Sequence, residues 1–512
     1  MRLAHLALVA LAPVGFATAQ PAPPLRDFDA YVQKAVADWS VPGLAVSVVK
    51  DGQVVFQKGY GVCEIAKPAP VDAKTLFAIG STTKAMTAAA IGMLVDEKKL
   101  GWDHPVVQYL PDFQLYDPYV TREITVRDLL THRAGLPGAD FLWYRVETAP
   151  LEILKRMRFL KPETSLRSHF AYQNIMYHAA GELVGAVSGS SWSVFLKQRI
   201  FEPLGMTSTV TSLDALAGQK NVASPHDRVE GKVKAISNAS VDSVAAAGAV
   251  WSSVEDMAKW MRFLLNGGKV GDKALLTDST HRELFTPQTM VGPDTFYPTA
   301  KLTKPHWTTY GLGWFQQDYQ GRAVDFHTGS IDGMVAIHGL IRDEKLGVYV
   351  LANLDHAEVR HALMLRVFDL YRGSKPREEP SAQRVGGGAP TLRDWSSELF
   401  ALYDGLRREG EEREQKAEQE RVSGTSPSLA LEKYAGTYSD PLYGTVVVAL
   451  DGNLRITRGP TFSATLEHWN YDTFRARWDL DWLGKSLVSF ALDAKGNVTA
   501  VELNGMRLAR QP

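Results

Sequence analysis

Ser81 and Lys84 stand three residues apart, between an apolar run at residues 75–80 and a helix-forming stretch at residues 85–94. At that spacing a helix puts hydroxyl and amine on one face, with Cβ atoms about 5–6 Å apart. A helix N-terminus favours a developing alkoxide and disfavours a protonated lysine. Such a pair can serve as a serine nucleophile with lysine as its base. Tyr172-Gln173-Asn174 stands just before a second helix-like stretch, residues 175–187. A tyrosine beside a lysine can share its proton, because the ammonium stabilises phenolate and both groups' pKa values are expected to fall toward neutrality. The pair could deprotonate Ser81 and later return a proton to a departing group, while Asn174 presents its amide to a substrate carbonyl or to the lysine. His327-Thr328-Gly329-Ser330 closes a strand-like run at residues 323–326. A strand beside a nucleophile can hold an extended substrate by main-chain hydrogen bonds, and Gly329 admits close backbone approach. The N–H groups of Ser81 and Ser330 would then form an oxyanion hole. Read singly, each motif is also compatible with a structural role: a chance serine–lysine spacing, a packing tyrosine, a hydrogen-bonded sheet histidine.

The elements that must position these residues can be read from periodicity. Val41-Pro42-Gly43 introduces an apolar β-branched run at residues 44–49, and Asp51-Gly52 turns it into residues 53–57, a hairpin. Helical patterns dominate from Ala85 to about Leu265, and strand signals return at residues 310–318, 323–326, 333–340 and 346–351. Both ends of this region supply strands and its middle supplies helices, which predicts an antiparallel sheet packed against a helical part, an α+β arrangement. Residues 373–390, rich in Gly, Pro and charge, read as a linker. The charge-dense stretch that follows, to Arg421, reads as a solvated helix or a binding arm. From residue 429 onward short β-type runs recur about every ten residues, with about eight candidate strands, which predicts a small up-and-down barrel or sandwich. Its aromatics Phe462, Trp469, Tyr471, Phe474, Trp478, Trp482 and Phe490 are expected in the barrel core, with a ligand cavity as the alternative.

Residues 1–19 have a short positive start, an apolar stretch and the small-residue ending Ala17-Thr18-Ala19, the pattern of a cleaved signal peptide. Export to a periplasm or to the outside is therefore expected, without a transmembrane segment. The formal net charge of −1 offers no electrostatic case for nucleic acid. Cys63 is the single cysteine, which excludes an intramolecular disulfide, and its strand-like surroundings predict a buried structural thiol. No HExxH or paired Cys/His cluster calls for a metal, His356 and His361 are poorly spaced for one helix face, and no cofactor is expected.

Taken together, in this order, the three motifs resemble the serine β-lactamase and penicillin-binding-protein superfamily, whose pattern is S-x-x-K, then Y-x-N or S-x-N, then K/H-T-G. The tyrosine of the second motif is similar to the class C β-lactamase and esterase branch. Leu129-Leu130-Thr131-His132-Arg133-Ala134-Gly135-Leu136-Pro137, Pro203-Leu204-Gly205-Met206 and Tyr310-Gly311-Leu312-Gly313-Trp314 look like that branch too, as does the segment from Ala247 to Met257. The resemblance implies a β-lactamase/transpeptidase-like serine hydrolase domain at residues 27–372, a linker and charged helical arm at 373–428, and a lipocalin-like C-terminal domain at 429–512. It implies Ser81, Lys84 and Tyr172 as catalytic residues, with Asn174, His327, Thr328, Gly329 and Ser330 binding substrate or the oxyanion. Position 327 departs from the lysine usual in penicillin-recognising members. A mostly neutral histidine there fits D-residue-specific peptidases and esterases better than β-lactamases. The expected activity is thus that of a peptidase or carboxylesterase acting on a peptide or small molecule, with a β-lactamase or slowly turning penicillin-binding sensor as the alternative. The C-terminal domain is a candidate for homo-oligomerisation or for shielding the site.

Overall fold

The computed structural model describes residues 23–372 and 392–512; the expected signal peptide lies outside the described residues, as does the expected linker at residues 373–390. The predicted hairpin is present as β1 (Gly43–Lys50) and β2 (Gln53–Gly61), with Asp51 and Gly52 both at positive φ in the turn. These strands join β3 (Thr289–Met290), β4 (Thr308–Tyr310), β5 (Phe315–Tyr319), β6 (Arg322–Ile331), β7 (Met334–Ile341) and β8 (Leu346–Ala352) in one sheet. Its spatial order is β2-β1-β8-β7-β6-β5-β4-β3, antiparallel throughout.

Strand β1 shows why the central strands are apolar along their whole length. Successive side chains point to opposite faces, and both faces are covered. Ala45 and Val49 enter the core shared with helices α2 (Thr83–Asp96), α3 (Asn174–Ser188) and α4 (Val254–Leu265). Leu44, Val46 and Val48 enter a second core with α1 (Phe28–Asp38) and α5 (Val359–Leu370). Cys63 is buried in the first core, and burial pushes its thiol pKa up, as expected of a structural thiol. Two expectations are corrected. The single strand read at residues 310–318 is two, because the chain turns at residues 311–314 to pack against α2, where Gly313 lies at the backbone of Lys84 and Ala85. The strand read at residues 323–326 runs on to Ile331, so the histidine motif lies inside it.

Helix α6 (Trp395–Gln419) seats Trp395, Ser396 and Leu399 in the second core, where the Trp395 indole donates to Asp369 Oδ2 at 2.7 Å. Leu402 and Tyr403 pack against the same core, and the turns of the helix from Arg407 onward are polar and largely exposed. Just beyond its end, Arg421 donates to the carbonyls of His468 and Trp469. The C-terminal part is a closed eight-stranded antiparallel barrel: β9 (Gly436–Asp440), β10 (Gly444–Asp451), β11 (Asn453–Arg458), β12 (Phe462–Asn470), β13 (Thr473–Trp478), β14 (Lys485–Leu492), β15 (Val498–Leu503) and β16 (Met506–Arg510). It closes where Tyr438 pairs with Arg510. Phe462, Phe474, Trp478 and Phe490 pack in its core with Tyr434 and Tyr438. Three of the expected core aromatics are elsewhere: Trp469 carries the Arg421 and Arg475 guanidiniums, 5.0 and 5.1 Å from its ring. Tyr471, in a turn, is 58% exposed, and Trp482 sits in a short 3-10 turn with the Arg145 guanidinium 5.4 Å from its ring.

Candidate active site

A 3-10 turn, Gly80–Thr82, leads into α2 and carries Ser81. Thr82 pins this turn by donating to the Ile79 carbonyl at 2.8 Å and by a 2.6 Å hydroxyl contact with Tyr349. Helix α2 is buried from Thr83 to Leu94, so Lys84 is 0% exposed. A buried ammonium is costly unless its environment neutralises it. Burial lowers the Lys84 pKa to about 7, with the Asp140 charge acting in the opposite direction. The Nζ atom lies 2.9 Å from Ser81 Oγ, 2.8 Å from Asn174 Oδ1 and 2.9 Å from the Ala247 carbonyl oxygen. A neutral amine has two hydrogens and one lone pair. Asn174 and Ala247 are acceptors and take the hydrogens, which leaves the lone pair directed at the Ser81 hydroxyl.

Tyr172 completes this cluster. Its phenol adjoins Ser81, and Lys84 Nζ lies 4.9 Å from the centre of its ring. Burial pushes its pKa well above the ordinary tyrosine value, and the Ser81 contact offsets only part of that. This corrects the expectation that both partners fall toward neutrality. The site is dry enough for desolvation to outweigh the ammonium, so Tyr172 is a phenol at neutral pH. The ring is stacked on His132, with centres 4.2 Å apart. His132 Nδ1 accepts the Gln173 N–H at 3.0 Å, which places the chain just before Asn174. Asn174 Nδ2 in turn donates to Asp140 Oδ1 at 3.0 Å, which sets the amide with its oxygen toward Lys84.

Strand β6 meets the serine turn at two interlocked glycines. A Cβ on Gly329 would stand 1.9 Å from the Ile79 carbonyl oxygen, and one on Gly80 (φ +51°) would stand 2.6 Å from the Ser330 nitrogen. Only glycine admits that approach. Arg360 holds the strand from behind: its Nη1 donates to the Gly329 carbonyl at 2.6 Å and to Ser330 Oγ at 3.0 Å. Its charge is balanced by Glu358, with contacts of 3.0 and 2.9 Å. Burial would raise the Glu358 pKa, but Arg360 together with His361 and His356 outweighs it, and the carboxyl is held below its ordinary value.

The motif residues therefore divide. Ser81, Lys84, Tyr172 and Asn174 converge on one point, and Gly329 and Ser330 bring backbone to it. His327 and Thr328 turn their polar atoms elsewhere. His327 Nδ1 donates to the Thr328 carbonyl at 2.5 Å, which leaves Nε2 to accept from the Tyr310 hydroxyl at 3.0 Å. Burial lowers its pKa to about 3, so the imidazole is neutral. Thr328 Oγ1 contacts the Tyr297 hydroxyl at 2.7 Å. Sequence reasoning gave no role to His132, Asp140 or Arg360. His132 stood in a segment already noted for its resemblance; Asp140 and Arg360 carried no local signal.

The octameric penicillin-binding protein homologue from Pyrococcus abyssi has this fold: it superposes with a TM-score of 0.61 at 23% identity, covering 94% of this chain and 99% of its own. SurE superposes with a TM-score of 0.54 at 22% identity, over 94% and 98% of the two chains. The sequence profile of the Beta-lactamase family matches residues 28–370, and that of a domain of unknown function (DUF3471) matches residues 420–511. The chain belongs to the Beta-lactamase family of serine hydrolases. The unguisins hydrolase ungD of Aspergillus violaceofuscus is 30% identical over 497 residues, which span 88% of this chain and 82% of that protein. Protein flp of Staphylococcus aureus is 25% identical over 340 residues, spanning 64% and 63%.

Proposed function

We propose that this chain is an exported hydrolase that forms an acyl-enzyme on Ser81, cleaving a peptide-like amide, D-residue-containing peptides included, or a carboxylic ester. The observation that carries the reading is the buried Lys84, held near pKa 7 with its lone pair directed at the Ser81 hydroxyl. Neutral Lys84 takes the Ser81 proton as Oγ attacks the substrate carbonyl carbon. The N–H groups of Ser81 and Ser330 receive the oxyanion. Tyr172 O–H protonates the departing nitrogen or oxygen, and the Lys84 ammonium restores the phenol. Water entering after the leaving group departs is activated by the same pair and releases the acid.

The neutral, inward-facing His327 supports peptides and esters over β-lactams. It offers no fixed cation to a substrate carboxylate, whereas the lysine usual in penicillin-recognising relatives does. The similarity to a relative named for hydrolysing unguisins supports the hydrolase reading. Ser81→Ala is expected to abolish hydrolysis of p-nitrophenyl acetate, and unchanged turnover in that variant refutes the assignment. A panel of D- and L-aminoacyl amides, short esters and a chromogenic cephalosporin ranks the substrates. Preferred cephalosporin turnover overturns the role given to His327.

A further inference from the structure

The segment from Leu136 to Val146 runs between the two domains and touches the site at one residue. Asp140 Oδ1 accepts from Asn174 Nδ2 at 3.0 Å and from the Trp143 indole at 3.1 Å. Asn174 Oδ1 in turn receives Lys84, so carboxylate, amide and amine form one chain of hydrogen bonds. The titratable groups that face Lys84 are Tyr177 from α3, His132, Asp140 and Tyr172 from the loops before it, and His327 from β6. The two histidines are held neutral by burial and the tyrosines are phenols. Asp140 is the carboxylate of the set.

The residues after Asp140 are gripped from both sides. Phe141 packs on the barrel core. The Arg145 carbonyl accepts from Thr461 Oγ1 at 3.2 Å, and the Arg145 guanidinium lies over Trp482. On the other side, Asp332 receives the Tyr144 hydroxyl at 2.8 Å and Arg145 Nε at 2.9 Å, just beyond the end of β6.

We propose that Asp140 is a positioning residue for the Lys84–Asn174 pair, and that the C-terminal barrel holds it in place through Phe141. This rests on the reading of Ser81 and Lys84 as nucleophile and base. Two physical effects follow from the geometry. Without an acceptor at Asp140 the Asn174 amide is free to turn its NH₂ group toward Lys84, setting donor against donor. Without the carboxylate charge the ammonium loses a stabilising neighbour, so Lys84 sheds its proton at lower pH.

The test measures pH profiles of kcat/KM on an activated ester, with the full-length chain and the variants Asp140→Asn, Asp140→Ala and Phe141→Ala, each checked for native circular dichroism. Asn keeps an acceptor and loses the charge; Ala loses both. In both Asp140 variants the acid limb is expected to move to lower pH, so that one unit below the wild-type midpoint the activity relative to its own plateau rises about twofold or more. Asp140→Ala is expected to lose about tenfold more of the plateau kcat than Asp140→Asn. Phe141→Ala, which leaves the carboxylate in the chain, is expected to lower the plateau kcat by about threefold or more. An unmoved acid limb in both Asp140 variants overturns the role of Asp140, since a merely structural residue changes the amount of active enzyme and not its titration. An unchanged kcat in Phe141→Ala overturns the part given to the barrel. A wild-type chain that gives no Ser81 adduct with a fluorophosphonate fails the underlying reading instead, and mass spectrometry distinguishes that outcome.

Discussion

Replacing Lys84 with methionine removes a buried titratable amine and keeps an unbranched side chain of similar length. An unfolded lysine titrates near 10.5 and the native Lys84 near 7. Between those values the unfolded chain binds one more proton than the native chain, so this residue makes native stability rise with pH. The slope for one proton is about 1.4 kcal/mol per pH unit. Below about pH 7 both states are protonated and the contribution is flat; above about pH 10.5 both are neutral and it is flat again. Over two pH units inside that window, the wild type is expected to gain about 3 kcal/mol relative to Lys84→Met. The pH-dependent difference is the informative quantity. The absolute offset also contains the Asn174, Ala247 and Ser81 groups that methionine leaves without a partner, each costing about 1–3 kcal/mol. Urea unfolding of both full-length chains from about pH 6 to about pH 9.5 measures it, because titrations common to both chains cancel in the difference. On the proposed reading of Lys84 as the base, wild-type kcat/KM is expected to rise through about pH 7, where Lys84 loses its proton. Two stability curves that run parallel across the window refute the depressed lysine, and with it the argument that burial prepares the base.

Two further outcomes test how the strand is held against the serine. Gly329→Ala places a methyl group 1.9 Å from the Ile79 carbonyl oxygen, so β6 must retreat from the Ser81 turn. Activity is expected to fall about 10²–10³-fold as the Ser330 donor withdraws, and turnover close to wild type in that variant removes this strand from the oxyanion site. Arg360→Met leaves the buried Glu358 carboxylate without its partner, which is expected to cost about 3–5 kcal/mol in urea unfolding. Adding Glu358→Gln should recover part of the loss, and a single variant as stable as wild type contradicts the role of the pair.

Local patterns carried far in this chain. The Asp51-Gly52 hairpin, the apolar helix after Lys84 and the eight barrel strands follow from spacing, turn residues and alternation, because each depends on neighbours a few residues away. The break at residues 311–314 was not legible, since those residues turn in order to meet α2, more than 200 positions earlier. The barrel aromatics show the same limit. Alternation places Phe474 and Phe490 inside, but it could not say that Trp482 would meet Arg145 on another domain.

For the site, the sequence alone determined that Ser81 and Lys84 share a face, because three residues at a helix start always do. It also supplied Tyr172, Asn174 and Gly329 as chemically suitable partners. Tertiary structure decided what each of them is. Full burial took Lys84 down to about pKa 7 and drove Tyr172 upward, so amine and phenol are assigned different duties. Tyr310 and the Thr328 carbonyl turned His327 inward and kept it neutral. Asp140 and Arg360 entered the site from segments with no motif, because desolvation and charge act through space and take no account of distance along the chain.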